Sequence, residues 1–246
     1  MISIASLIYK SKRFADAVYE SIMEFTPLIH EGKAEFFFVA NDASEDVIEH
    51  LAAKGYKYFI NNNPRLTEQE LFARGIGWPE YIHRVYRGWN EAIRNAQDVV
   101  VLVNSDNLFS PNWLENLLKY LTPTRIVCSQ LVERRHPKYG VIYGAIHGEF
   151  GHHPDSFKKA EFLEFCKKVA KPGLRMGGVY MPCMFYKDAA LKAGLYPEGN
   201  ICGETFYRIV RYGDQDFFLR LAKIGVHHVT ALDSIVYHFK EGEMEE

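Results

Sequence analysis

Apolar runs and amphipathic stretches alternate along the first half of the chain. Residues 2–9 have strand character, and 11–25 follow with Phe14, Val18, Ile22 and Phe25 at helical spacing. Residues 34–40 form a second apolar strand. Ser44-Glu45-Asp46-Val47 then opens a helix, which Ser44 can cap and whose acids suit the positive end of the helix dipole. Residues 56–60 read as a short strand and 61–77, polar and irregular, as a long loop. Val85, Trp89, Ala92 and Ala96 predict a helix over 79–96, and 98–103 is a buried strand. Residues 111–121 are a helix with proline in its first turn, and 125–131 a further strand.

The second half is less regular. Residues 155–169 predict a helix, 178–186 are strand-like, and 187–193 form a short helix ended by Gly194. Residues 200–212 are aromatic and irregular, 214–223 a helix closed by Gly225, and 226–229 and 234–239 two short strands before an acidic tail. There is no repeat, low-complexity tract or linker, so one domain over 1–246 is expected. Continuous apolar strands alternating with helices imply an α/β fold, its mostly parallel central sheet covered by helices on both faces. Such sheets bind ligands beyond the carboxyl ends of their strands. Attention therefore falls on the residues after Tyr9, Ala40 and Val103.

Composition narrows the classes. The 29 Lys and Arg nearly balance 31 Asp and Glu, which argues against a nucleic-acid partner. With 48% hydrophobic residues the chain can bury a core. No run approaches the roughly 18–20 apolar residues of a membrane span. The N-terminus enters a strand with no basic region or small-residue cleavage site, so no signal peptide is expected. Cys128, Cys166, Cys183 and Cys202 are scattered, neither a disulfide framework nor a zinc site; the expectation is a cytoplasmic protein with reduced thiols. Dinucleotide-binding and P-loop glycine patterns are missing from the sequence. The 17 Phe and 15 Tyr are an excess that composition does not explain.

Three segments carry candidate chemistry. In Val39-Ala40-Asn41-Asp42-Ala43-Ser44, a carboxylate past a buried strand can accept a hydrogen bond from a base N–H or a ribose hydroxyl, although a turn and cap use the same residues. In Val103-Asn104-Ser105-Asp106-Asn107, Asp106 stands at the mouth of an apolar strand, where it can coordinate a divalent cation on a diphosphate. In Gly213-Asp214-Gln215-Asp216, acids open a helix; they suit its dipole, and a carboxylate there can also face a pocket as a general base.

In this order the pieces resemble the family 2 inverting glycosyltransferases of the GT-A fold. Residues 39–46 resemble the family's Val-Asp-Asp-Gly-Ser-x-Asp turn, and 86–96 its helix with an Asn, here Asn90. Asn104 to Asn107 resemble the Asp-x-Asp motif, Gly194-Leu195-Tyr196 a Gly-Gly-Phe-type turn, and 213–220 the Glu-Asp-x-Asp-Leu-x-x-Arg motif. The resemblance implies a nucleotide site of Ser6, Tyr9, Asp42, Asn90, Asn104 and Ser105, with Asp42 on the base and Asn104 on the ribose. Asp106 would bind Mn²⁺ or Mg²⁺, His238 would complete the metal site, and Asp214 would deprotonate the acceptor. The donor would be a UDP- or GDP-sugar, and the acceptor a glycan, a lipid-linked molecule or a protein. Residues 1–130 would hold the nucleotide and 131–246 the acceptor.

The chain departs from the pattern at Asn41, Asn104 and Gly213, each standing where the family has an acid. With the metal site short of negative charge, the cation is expected to arrive with the nucleotide diphosphate. These departures keep open a nucleotide-sugar-binding protein of the same fold without turnover. His147, His152 and His153 lack the order of a helical zinc site. Arg208 and Arg211 could reach a phosphate or an anionic acceptor, or serve the surface. Of the aromatic excess, Phe36 to Phe38, Phe217 and Phe218 suit the core. Tyr9, Tyr139, Tyr143, Phe206, Tyr207 and Tyr212 are placed to meet bases and sugar rings.

Overall fold

The Ser11 side chain accepts the backbone N–H of Phe14 at 3.1 Å and starts the first helix. In the structure, a computed structural model describing residues 1–136, 138 and 140–240, this helix links the first two strands of the main sheet. Tyr139 and the acidic tail lie outside the described residues. Strand β1 (Ile2–Ile8), helix α1 (Lys12–Phe25), the single turn α2 (Pro27–His30) and β2 (Ala34–Asn41) form a crossover, and β1 and β2 pair in parallel from Ile2–Ala34 to Ile8–Ala40. Helix α3 (Glu45–Ala53) leads to β3 (Tyr58–Asn61). Ser44 occupies the N-cap of α3, yet its hydroxyl caps no backbone N–H and donates to Asp46 Oδ1 at 2.5 Å.

Residues 61–77 are more ordered than the expected loop. They contain α4 (Glu68–Ala73) and β4 (Ile76–Gly77). Thr67 and Glu70 form a reciprocal capping box, Thr67 N–H donating to Glu70 at 2.8 Å and Glu70 N–H to Thr67 at 3.3 Å. The Thr-x-x-Glu signal was present, but six helical residues are too few for apolar periodicity to show. Next come α5 (Ile82–Asn95), β5 (Val99–Val103), β6 (Asn107–Phe109), α6 (Trp113–Tyr120) and β7 (Arg125–Glu133). Pro111 precedes α6, because Asn112 at the N-cap takes a left-handed φ of 62°. The remainder is β8 (Ile146–His147), a 3-10 turn (Pro154–Ser156), α7 (Lys159–Val169), β9 (Leu174–Met176), β10 (Cys183–Tyr186), α8 (Lys187–Lys192), β11 (Asn200–Cys202), β12 (Ile209–Arg211), α9 (Gly213–Lys223) and β13 (His227–His238).

The main sheet runs β3-β2-β1-β5-β10-β7-β13-β6, with β8 and β9 at its side, and β12-β11-β4 form a small second sheet. The two short strands expected over 226–239 are one strand, β13, whose pairing with β7 shifts register between Ala231 and Ile235. Because β10 is antiparallel to both β5 and β7, and β13 is parallel to β7, the carboxyl ends of β1, β2, β5, β7 and β13 share one edge. Two cores cover the sheet around β2, and a third packs Phe14 of α1 and Phe162 of α7 against Val132 of β7 and Tyr237 of β13. Successive residues of β2 point to opposite faces, so Phe36 and Phe38 join Val18 and Trp113 on one side, and Phe37 and Val39 join Trp89 and Phe217 on the other. Fully burying one such side chain stabilises the fold by roughly 1.5–3 kcal/mol.

Candidate active site

Two adjoining cavities open at the shared carboxyl edge. The larger, about 710 Å³, is walled by Tyr9, Lys10, Asn41, Arg84, Ser105 and Asp106 among others. The smaller, about 410 Å³, is walled by Tyr86, Tyr143, Tyr180, Asp214 and Gln215 among others. Val85, Trp89, Asn104 and His238 line both, so the two spaces meet across these four side chains.

The larger cavity ends in a chain of charges. The turn between β5 and β6 is closed by Asn107, whose N–H donates to Asn104 O at 3.2 Å and whose Oδ1 accepts Asn104 N–H at 3.0 Å. Asp106 is held in that turn by its carbonyl, which accepts Phe239 N–H at 3.1 Å. Its Oδ2 lies 3.2 Å from His238 Nε2. On the other side of the ring, His238 Nδ1 lies 3.1 Å from Oε2 of the fully buried Glu133, its register partner on β7. Glu133 Oε1 accepts Lys240 Nζ at 2.9 Å and Ile142 N–H at 2.5 Å. Burial alone would lower the His238 pKa, but Asp106 and Glu133 outweigh it and push the ring up to about 9. Burial likewise opposes the ionised Glu133, yet His238, the Ile142 N–H and Lys240 hold it below the usual carboxylate range.

The smaller cavity contains Asp214 at the start of α9. Its N–H donates to the Tyr86 hydroxyl at 3.2 Å, and the preceding Gly213 N–H donates to Asn200 Oδ1 at 3.0 Å. A Cβ at Gly213 would overlap the Tyr86 ring, so glycine is what fits where the resembled motif has Glu. Removal from water pushes the Asp214 carboxyl up to about 6. Asp216 is engaged elsewhere, accepting Arg211 at 2.8 Å and Arg220 at 2.9 Å.

Of the residues singled out in the sequence, Tyr9, Asn104, Ser105, Asp106, Asp214 and His238 line the cavities. Three expected residues do not. Ser6 is fully buried within β1, its hydroxyl donating to Leu7 O at 3.3 Å. Asn90 is spent on structure: its amide donates to Tyr196 O at 3.0 Å and accepts Tyr196 N–H at 2.8 Å, tying α5 to the 194–196 turn. Asp42, in a left-handed conformation at φ 54°, turns into the protein, where its oxygens accept Asn63 N–H at 2.7 Å and Asn63 Nδ2 at 3.1 Å and approach Arg84 at 3.4 Å. Its neighbour Asn41 reaches the larger cavity instead. Arg84 stands 5.7 Å from the centre of the Tyr9 ring, joining Asp42 to that ring.

Sequence reasoning missed Glu133, Lys240 and Arg84. Glu133 carried a signal, since it is an acid closing an apolar strand just as Asp106 follows one. His147 pairs with Glu149 at 2.9 Å, and among the described residues no group of three or more His, Cys, Asp and Glu is arranged to hold a metal ion by itself. Cys128, Cys166, Cys183 and Cys202 are free thiols. No helix among the described residues is long and apolar enough to cross a membrane.

No protein-family model matches the sequence, and no curated protein matches it. Solved structures do. The mannosyltransferase PcManGT from Pyrobaculum calidifontis, in complex with GDP-Man and Mn²⁺, superposes over 96% of this chain and 56% of its own, with TM-score 0.54 at 17% identity. TarS 1–349 from S. aureus superposes over 96% of this chain and 60% of its own, with TM-score 0.56 at 12% identity. The same protein in complex with UDP-GlcNAc gives TM-score 0.54 at 10% identity, over 96% of this chain and 57% of that one. The chain has the GT-A glycosyltransferase fold that its motif order resembled. It spans somewhat more than half the length of these structures.

Proposed function

We propose that this protein is an inverting, family 2-type glycosyltransferase that moves a sugar from a nucleotide-sugar to an acceptor hydroxyl. The observation that carries this reading is the arrangement of Asp106–His238 and Asp214 in two cavities that meet at Asn104 and His238. The nucleotide would lie in the larger cavity, its base and ribose among Tyr9, Asn41, Arg84 and Asn104. Residues 1–130 thus supply most of the donor site, and 131–246 supply Asp214 and the acceptor side. The UDP- and GDP-sugar complexes of the similar structures make those donors the first to try. We place the protein in the cytoplasm on its four free thiols.

Asp106 and His238 fit a divalent ion. A carboxylate oxygen and an imidazole nitrogen 3.2 Å apart face one cavity, and Glu133 holds the far side of the ring. Two protein donors leave room for diphosphate oxygens, as Mn²⁺ or Mg²⁺ requires. When bound there, the ion neutralises charge developing on the leaving diphosphate. Asp214 accepts the acceptor's proton as the hydroxyl oxygen bonds to the anomeric carbon and the bond to the diphosphate breaks on the opposite face. A carboxyl raised to about 6 is a better base near neutrality than an ordinary aspartate and is still ionised there.

The test mixes the protein with UDP- and GDP-sugars, Mn²⁺ and candidate acceptors, and follows diphosphate release and the configuration of the product. Nucleotide binding without turnover with any acceptor would favour a binding protein of the same fold. Asp106→Ala is expected to weaken binding of the nucleotide in the presence of Mn²⁺.

A further inference from the structure

The smaller cavity carries information about the acceptor. Its size, about 410 Å³, suits a small organic group, since such sites hold roughly 300–1,000 Å³. The rings of Tyr86, Trp89, Tyr143 and Tyr180 line it, and Asp214 opens into it. Among the described residues that line it, none is Lys or Arg. The cations nearby are committed elsewhere. His238 has one ring nitrogen on Asp106 and the other on Glu133. Arg211 is paired with Asp216 and Arg208 with Glu204. Arg175 donates Nη2 to Gly144 O at 2.7 Å.

A phosphorylated or carboxylated acceptor would bring a further negative charge against Asp214, with no Lys or Arg on the cavity wall and with His238 already paired to Asp106 and Glu133. A sugar ring has the opposite character: an apolar C–H face that suits an aromatic ring, and hydroxyls on its rim. Two of the rings are placed for such contact in different ways. Tyr180 is fixed by Phe218, ring centres 4.7 Å apart, and by His228 at 5.5 Å. Tyr143 is 91% exposed, so the core does not need its ring, yet it borders the cavity.

Resting on the glycosyltransferase reading, we infer that the acceptor is an uncharged saccharide whose ring lies against Tyr143 and Tyr180 while one hydroxyl faces Asp214. In the transfer that hydroxyl loses its proton to Asp214, its oxygen bonds to the anomeric carbon, and the diphosphate leaves with the electron pair of the broken C–O bond.

The experiment has two arms. Calorimetry with UDP, GDP and Mn²⁺ first identifies the nucleotide. Diphosphate release from the matching sugar nucleotides is then followed with methyl glycosides and neutral disaccharides, and in parallel with hexose 6-phosphates and glycerol phosphate. Neutral sugars should speed release at least about tenfold over water and the phosphorylated set should not. Tyr143→Ala, at an exposed position, should raise the acceptor KM about fivefold and leave the donor KM unchanged, in the range of one aromatic contact. Release driven only by the phosphorylated set, no acceleration by any saccharide, or an unchanged acceptor KM in Tyr143→Ala overturns the acceptor assignment while donor binding still stands. Absence of nucleotide binding overturns the glycosyltransferase reading and the inference with it.

Discussion

His238 Nδ1 lies 3.1 Å from Oε2 of Glu133, a side chain with no solvent exposure. A carboxylate behind a metal-facing imidazole fixes its tautomer and its orientation, and losing such a partner weakens metal binding by roughly 10–100-fold. Glu133→Gln should therefore weaken binding of the Mn²⁺–nucleotide complex by about that factor, read by calorimetry or Mn²⁺ spin resonance. Glu133→Ala leaves Lys240 without its buried counter-charge and His238 with Asp106 alone, and should cost about 3–5 kcal/mol in denaturant unfolding. Unchanged metal binding in Glu133→Gln would remove Glu133 from that role.

The same ring sets a pH dependence of stability. In the metal-free protein the folded-state pKa of His238 is about 9, above its unfolded value of 6.5. Its contribution is fully present below pH 6.5 and is lost as pH rises through 9. Unfolding of the metal-free protein should show that decline, and His238→Gln should flatten it. Because a cation at Nε2 displaces a proton, Mn²⁺–nucleotide affinity should rise over the same interval.

Asp214 also makes stability fall as pH rises, in a lower window and as the cost of a buried charge. Its folded-state pKa of about 6 lies above the unfolded 3.8, so ionisation is disfavoured by folding, and the carboxylate costs stability above pH 6. Asp214→Asn should abolish transfer, keep nucleotide binding nearly intact, and stabilise the protein at neutral pH in thermal unfolding. Transfer in the wild type should fall on the acid side of pH 6. Near-full activity in Asp214→Asn would assign the base elsewhere.

Asn90 joins α5 to the 194–196 turn through two buried hydrogen bonds to Tyr196. Asn90→Ala leaves the Tyr196 N–H and carbonyl unpaired and should cost about 1–3 kcal/mol per stranded group. Once corrected for the folded fraction, nucleotide affinity should be unchanged. A specific loss of affinity would instead put Asn90 in the nucleotide site.

The sequence by itself determined the α/β alternation, the strand ends that border the cavities, and the placing of Asp106 and Asp214 at a strand end and a helix start, because period, apolar runs and turn residues are local properties. His238 was legible only through motif order. Tertiary structure decided which side chains actually face the cavities. Ser6 points into the sheet, Asn90 spends its amide on Tyr196, and Asp42 turns to Asn63, leaving the cavity wall to Asn41. The pairing of His238 with Glu133 spans 105 residues. It exists because β7 and β13 run parallel and in register at that edge, a relation between distant strands that no local pattern encodes. The aromatic excess is divided the same way. Phe37 and Phe217 fill the core, while Tyr143 and Tyr180 line the cavity beside Asp214, a distinction that packing, rather than residue type, decides.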